Sequence, residues 1–519
     1  MALLAVFMLG AAVLAILCRG FFLEDAYMHL RYAENTVTAG RWSTWNVGEK
    51  PVSGSTSPLW LALLVLFRIL GVAPFATSKV LGAAALAGFF LDLHKFWRQR
   101  MDQMEPTWIS LAFALSLFTL VPLLFYAVCG METVFVLWLL SRLILVRSTT
   151  AHSIWSVFLV LARSEGAVIV FIITVVKYWR KWKQIILAGL PSFIVFTGYL
   201  IWHYFYFGHI FPNTYYAKAD LPLYEGILYG TRSLFLFLSD YYLIIVFAFL
   251  YLITRKINRL DSMVLAVCGF LVVYVLRVGG DNAVAFPHHR HFLVLIGFGW
   301  VYAFIFLVDI ARRIRAQKLV LAMLIFVSLM SHFINETRAE GSPLRNLKGS
   351  VKAIIGLPGV SHSPDRAGAL PSIDQLLEPM PDNAVVATSA SGRVAAAFLR
   401  LKFIDMVGLH DEHIAHHGKR QFGQVDTKTD TAYLMSRKPD IIVLPIPSIY
   451  IKQGFVQRGV THWRFFVDEV LSHPTIFSVY RFVPTTDQAV FIQEQMLDFL
   501  PAKIRETATT INYREMIKH

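Results

Sequence analysis

Apolar runs long enough to cross a hydrocarbon layer of ~30 Å, about 20 residues each, recur from the N-terminus to about position 335 and then stop. They predict membrane helices over roughly 2–22, 57–74, 76–93, 107–128, 131–146, 152–162 with 166–176, 184–206, 231–253, 261–278, 291–309 and 318–334. Arg163 and Glu165 interrupt the 152–176 run, so it is expected as a broken hairpin, two short pieces meeting near one surface. The segment 336–380, with ETRAEGSPLRN and GLPGVSHSPDRAG, has the Gly, Pro, Ser and charge content of a linker. Beyond it AVVATSA (384–390), DIIVLPI (440–446), IFSVYRFV (476–483) and AVFIQEQ (489–495) read as short strands. AYLMSR and WRFFVDEVL between them have helical spacing. The predicted fold class is a polytopic α-helical membrane protein of about 10–11 spans, residues 1–335, followed by a C-terminal soluble α/β domain, residues 336–519.

Composition agrees: 56% of the 519 residues are hydrophobic and only 16% charged, against about 25% charged in soluble domains. The net charge of +14 does not indicate nucleic acid, because the cations lie in short clusters between apolar runs, HKFWRQR, KYWRKWK, TRKINR and ARRIRAQK. Such clusters mark cytoplasmic loops, and no basic face with interleaved aromatics is visible. That orientation puts the first long loop, 24–56, and also 129–133, 163–166, 207–230, 279–290 and everything after 335 outside. Two full spans between 57 and 93 would then leave HKFWRQR on the wrong side, so one of them is expected to be partial or the count is off by one. The N-terminal run lacks a basic n-region and is expected as a retained first helix. Cys18, Cys129 and Cys268 lie in or beside apolar runs and read as packing residues. No 20- to 50-residue repeat and no low-complexity tract is evident.

The same orientation gathers ionisable residues on the outer side: Glu24 and Asp25, Glu132 in CGMET, Arg163 and Glu165 in ARSEG, Lys218 in FPNTYYAKAD, and Asp281, His288, His289, Arg290 and His291 in GGDNAVAFPHHRH. Each alone reads equally well as a loop residue at the water boundary, but charge at membrane depth is expensive and usually functional. As a set drawn from several loops they point to a shared cavity. Carboxylates can serve as a general base, and Arg, Lys and protonated His can hold a departing phosphate. Together they suggest transfer from a phosphate-activated donor delivered through the bilayer, a polyprenyl-phosphate sugar. The HHRH cluster is read as phosphate-contacting rather than metal-binding, since it lies on one short loop. Trp42, Trp45, Trp60, Tyr27, Tyr32, Tyr215 and Tyr216 could stack on sugar rings or form an interfacial aromatic belt.

The run EDAYMHLRYAENTVTAGRWSTWNVGEKPVSGSTSPLW (24–60) resembles the first outer loop of the GT-C superfamily of membrane glycosyltransferases. More closely it is similar to the mycobacterial arabinofuranosyltransferase B type, whose loop opens with DDAY and ends in TNPLW. GMET, RSEG in place of RPEG, FGHIFPNTYYAK, GGDNAVAFPHHRHFLV and FIDMVGLHDEHIAH extend the similarity over most of the chain. The resemblance implies an inverting transfer of a sugar, with arabinofuranose favoured, from a polyprenyl-phosphate donor to a cell-envelope glycan, lipid or protein acceptor, in a bacterial inner membrane. Carried over, its carboxylates fall on Glu24 and Asp25, where Glu stands for the first Asp; Asp25 is taken as the base and Glu24 as orienting the acceptor. Asn213, Tyr216 and Lys218 match the PNT-YAK stretch, and Arg290 with His288 or His289 the loop near the donor phosphate. No tightly held metal is expected, although a divalent ion assists in other branches of the superfamily.

Asp405, His410, Asp411 and His413 in FIDMVGLHDEHIAH have ligand-like spacing, yet a structural or acceptor-binding loop is the preferred reading. Rival functions are a secondary transporter, which would keep its ionisable groups nearer the bilayer midplane, and a lipid-linked sugar flippase or non-catalytic scaffold of glycan assembly; within the enzyme class an aminoarabinose or mannose transferase to lipid A or protein stays open.

Overall fold

The computed structural model describes residues 2–101, 107–219, 221–280, 289–313, 371–389, 392–420, 428–444, 469–485 and 488–509. Its helices are α1 (Ala2–Leu17), α2 (Glu24–Ala39), α3 (Pro58–Ile69), α4 (Pro74–Arg98), α5 (Thr107–Leu117), α6 (Val121–Val128), α7 (Thr133–Leu145), α8 (Thr149–Ala162), α9 (Gly166–Lys177), α10 (Trp182–Phe207), α11 (Asn213–Ala219), α12 (Leu223–Asp240), α13 (Tyr242–Thr254) and α14 (Arg259–Val278), then Leu293–Arg313. Among the described residues α4, α10, α14 and Arg290–Arg313 are each long and apolar enough to cross a bilayer. The pairs α5 with α6 and α12 with α13 pass the same test as single spans bent by 58° and 84°. On α10 the exposed Trp182, Leu187, Phe193, Ile194 and Phe205 form a surface that lipid, not water, suits. The 57–74 run yields only the 12-residue α3, which rises about 18 Å and cannot span. The predicted span at 318–334 and most of the predicted linker lie outside the described residues.

Charged residues mark where the membrane helices break. The 152–176 run is two helices, α8 and α9, with Arg163, Ser164 and Glu165 between them. Helix α2 is amphipathic rather than apolar. Glu24 and Asp25 occupy its first turn, where carboxylates suit the unpaired N–H groups, and Gly40 ends it at a left-handed φ of 62°.

The C-terminal domain is built on a five-stranded sheet ordered β2-β1-β3-β5-β4, from β1 (Val385–Thr388), β2 (Lys402–Asp405), β3 (Ile441–Leu444), β4 (Tyr480–Pro484) and β5 (Ala489–Gln493). β1 pairs in parallel with β2 and β3, and β5 antiparallel with β3 and β4. The two-residue period of a strand divides its side chains between two cores. Ala387, Ile404, Ile442, Leu444, Phe482 and Phe491 pack within the domain. Val386, Phe403, Ile441, Val443, Val490 and Ile492 join the core that is continuous with the membrane helices. Two expectations change. Strand β2 lies inside the segment read as a loop, and residues 476–479 are helical, because His473 caps and Pro474 opens a helix over Pro474–Val479 before the strand begins. Most of WRFFVDEVL lies outside the described residues.

The domain is fastened to the 24–56 segment by Arg31, whose side chain is fully buried. Its Nε donates to Trp45 O (2.9 Å), Nη1 to Ala395 O (2.5 Å) and Phe398 O (3.4 Å), and Nη2 to Asn46 Oδ1 and Leu401 O, both 2.9 Å. The guanidinium also lies over the rings of Trp45 and Phe403, about 5 Å from each centroid. Asn46 then pairs with Phe403 through both its amide groups, Nδ2 to the carbonyl at 3.0 Å and the Phe403 N–H to Oδ1 at 2.9 Å. It thereby covers the outer edge of β2.

A lysine has no planar fork to replace this geometry. Arg31→Lys is expected to leave carbonyls of the C-terminal domain buried and unpaired, at a cost of about 3 kcal/mol or more. The melting temperature should fall and limited proteolysis should release the C-terminal domain faster; unchanged melting and proteolysis would contradict this role for Arg31.

Candidate active site

The start of α2 is held at a corner between membrane helices. Lys79, near the start of α4, donates to the carbonyls of Cys18, Phe21 and Val128, and the Leu23 N–H reaches Cys129 O at 2.9 Å. The turn after α1, the start of α2 and the end of α6 are thus pinned together. Nothing in the local sequence marks Lys79 for this, since its partners are backbone groups.

One helical turn apart on α2, Asp25 and His29 lie on the flank that faces the breaks of the membrane helices. His29 Nε2 is 3.8 Å from Glu132 Oε2, and Ser55 Oγ lies 3.5 Å from its Nδ1. Glu132, buried at the start of α7, accepts from Arg163 Nη1 at 2.6 Å, and Arg163 Nε reaches Glu165 Oε1 at 2.9 Å. Burial pushes the Glu132 carboxyl up, but Arg163 and His29 outweigh it and hold the group down at about 2. Glu165 is likewise held below its ordinary value, burial being outweighed chiefly by Arg163. For His29 burial is decisive: it lowers the imidazole's proton affinity although the charges of Glu132 and Asp25 pull the other way. Tyr274 of α14 acts electrostatically on Arg163 and His291 on Glu165, so separate segments converge on one buried ionic cluster.

Glu132, Arg163 and Glu165, each picked out by sequence, are thus brought together, and Asp25 stands beside them. Glu24 is placed differently. Its Oε1 accepts from the N–H groups of Gly392 (2.9 Å) and Arg393 (3.0 Å) at the start of the helix Arg393–Ala397. A Cβ at Gly392 would collide with the Glu24 backbone and carboxyl, which explains a glycine there. Glu24 is thereby tied to the C-terminal domain. Its expected role toward an acceptor has no support in these contacts.

His289 is buried, with Nε2 2.8 Å from Asp240 Oδ2, and Arg290 begins the short 3₁₀ turn Arg290–Phe292. Asp281 and His288 lie outside the described residues. The PNT-YAK stretch belongs to a different neighbourhood. The Asn213 N–H reaches Ser53 O at 2.8 Å, Tyr216 packs on His416 of the C-terminal domain with ring centroids 4.1 Å apart, and Lys218 is exposed on α11. Trp45, Trp60 and Tyr32 are buried.

Sequence reasoning missed His29, although it stands four residues after Asp25, the spacing that places both on one helix flank. It also missed His410 as a docking residue. The His410 ring stacks on Trp45 (4.1 Å, 13°), its Nδ1 lies 3.0 Å from Tyr32 Oη and its Nε2 2.8 Å from Met28 Sδ. A Cβ at Gly54 would collide with both His410 and Tyr32. Asp405 accepts from the N–H groups of Val407 and His410, and Asp411 caps the helix Glu412–His417. The ligand-like spacing of this segment therefore serves local turns and docking. Among the described residues no three His, Cys, Asp or Glu side chains are placed to share a metal ion.

Comparison with known proteins gives a fold but no family for the whole chain. The profile of a family described as a domain of unknown function (DUF8728) matches residues 368–491, the larger part of the C-terminal domain. No curated protein matches in sequence. The crystal structure of ArnT from Cupriavidus metallidurans in the apo state superposes on 94% of this chain and 97% of its own, with a TM-score of 0.51 and 10% sequence identity. The chain is a multi-pass membrane protein with a fold like that of ArnT and a small α/β domain at its C-terminal end.

Removing Arg163 would leave Glu132 charged and buried. Arg163→Gln is expected to cost about 3–5 kcal/mol, read as a lowered melting temperature, and adding Glu132→Gln should restore part of it. Wild-type melting in the single variant would contradict this. A second prediction concerns pH. Burial pushes the His410 imidazole down to about 3, so the folded state refuses a proton that the unfolded state accepts near 6.5. The stability associated with neutral His410 is present above that value and lost as pH falls. Wild type should lose about 2 kcal/mol relative to His410→Gln between pH 7 and pH 5. The neighbouring Asp405, raised to about 7 by burial, changes stability in the opposite sense but is common to both proteins. Parallel pH curves would contradict the prediction.

Proposed function

We propose that the chain is an inverting membrane glycosyltransferase that moves a sugar, arabinofuranose, from a polyprenyl-phosphate donor to a cell-envelope glycan, lipid or protein acceptor on the extracytoplasmic side of a bacterial inner membrane. The observation that carries this reading is the position of Asp25. It stands at the first turn of a non-membrane helix, beside the ionic cluster of His29, Glu132, Arg163 and Glu165, where the breaks of several membrane helices meet. A lipid tail can stay in the bilayer at such a boundary while an acceptor approaches from water. The architecture shared with ArnT supports the same choice of donor class.

In the proposed reaction the acceptor hydroxyl gives its proton to the Asp25 carboxylate as its oxygen forms a bond to the anomeric carbon. The bond from that carbon to the phosphate oxygen breaks, and the electron pair leaves with polyprenyl phosphate. Base and leaving group then stand on opposite faces of the sugar, the arrangement that inversion requires. Positive charge for the departing phosphate comes from Arg290, with the histidines of the HHRH loop as further candidates. Glu132 and Glu165 neutralise Arg163, whose part is to hold the floor of the site rather than to bind phosphate. No tightly held metal enters this proposal.

The test uses purified protein in proteoliposomes with labelled polyprenyl-phosphate arabinofuranose and, separately, polyprenyl-phosphate hexoses, over a panel of glycan acceptors. The expected result is arabinofuranose transfer by wild type and a fall of about 10²–10⁴-fold in Asp25→Asn, with unchanged melting temperature. Hexose transfer alone would replace the sugar, and a wild-type rate in Asp25→Asn would remove Asp25 as the base. No transfer from any donor would overturn the reading in favour of a flippase or scaffold.

A further inference from the structure

A cavity of about 700 Å³ opens where the two modules meet, on the other flank of α2 from the ionic cluster. Its walls come from the first long loop (Trp45 to Val52), from His209 after α10, and from the C-terminal domain, including Glu412, His416 and Tyr433. We infer that this cavity is a subsite for a neutral sugar unit of the acceptor glycan, an inference that rests on the transferase reading above.

Its volume is within the range of small-molecule sites, about 300–1,000 Å³. Its chemistry suits a polyhydroxyl ligand. Flat rings stand in stacks along the wall: His413 on Tyr433 at 3.9 Å, and His416 between His209 (4.0 Å) and Tyr216 (4.1 Å). Polar groups between them are paired with one another. Glu412 takes His209 Nε2 at 2.7 Å and Lys50 Nζ at 3.1 Å; Glu49 takes Asn46 Nδ2 at 2.9 Å and Arg437 Nη2 at 3.5 Å. Tyr433 Oη receives Arg437 Nη1 at 2.7 Å and donates to Asp411 Oδ2 at 3.2 Å. Because both cations on the wall are already matched by carboxylates, an anionic ligand gains little here, whereas hydroxyl groups can both donate to the carboxylates and accept from the cations.

Position links the cavity to the reaction. His410 lines it and touches Met28 and Tyr32 of α2, and Met28 is about 4.5 Å along the helix axis from Asp25. The cavity and the proposed base therefore border the same stretch of α2, on adjoining flanks. Both modules supply the walls, so the subsite exists only while Arg31 keeps them docked.

The experiment measures binding of two neutral tetrasaccharides, an arabinofuranoside and a mannoside, and of their phosphorylated forms, to the full chain in nanodiscs. A neutral tetrasaccharide is expected to bind wild type and Asp25→Asn alike. Tyr433→Ala and Arg437→Gln, each with an unchanged melting temperature, should weaken it by about tenfold or more. Tighter binding of the phosphorylated forms, no binding of either neutral one, or wild-type affinity in both cavity variants would overturn the inference. Binding to Asp25→Asn separates the two readings. Sugar transfer unaffected by Tyr433→Ala sinks the subsite alone, and glycan binding without transfer in wild type sinks the transferase alone.

Discussion

A guanidinium with no carboxylate in contact is the joint on which this molecule turns. Arg31 is buried between a loop of the membrane module and the C-terminal domain, and four backbone carbonyls and one amide oxygen satisfy it. Burial lowers its pKa to about 9, which still leaves it charged at neutral pH. A buried charge of this kind tolerates no loosening, because every carbonyl that moves away leaves it less compensated. The two modules are therefore docked in one register, and the cavity between them has a definite shape.

Helix α2 converts that docking into chemistry. Glu24, Met28, Arg31 and Asn35 follow the helical period along one flank, where they meet the C-terminal domain or the loop it grips. Asp25 and His29 follow it along the other, toward Glu132 and Arg163. One helix of 16 residues thus fixes the place of a reactive carboxylate relative to both the membrane module and the soluble domain. Arg163 beneath it is already engaged by two carboxylates, Glu132 and Glu165.

Much of this was legible in the sequence, for physical reasons. Arg163 and Glu165 interrupt an apolar run, and charges there can only lie where the helix breaks. Glu132 comes two residues after a glycine, at another such break. The strands β1, β3 and β5 announced themselves as short β-branched runs, and the early carboxylates by their place at the end of the first run. What could not be read is the work done by backbone groups. Arg31 reaches Ala395 and Leu401, more than 360 positions away, through carbonyls that every residue carries. Lys79 and Glu24 are engaged in the same way, so their roles have no sequence signature. Strand β2 hid because its edge is completed by Asn46 rather than by a further strand. Residues 476–479 misled because Pro474 and the His473 cap outweigh the strand preference of the residues that follow.

The proposed transfer depends on a carboxylate accepting the acceptor's proton on the face of the sugar opposite the departing phosphate. The most direct measurement is the anomeric configuration of the product, read by NMR from a polyprenyl-phosphate arabinofuranose donor of defined configuration. Complete inversion at the anomeric carbon is expected. Retention would require a covalent or front-face route, and would contradict the role given to Asp25 and the geometry built around it.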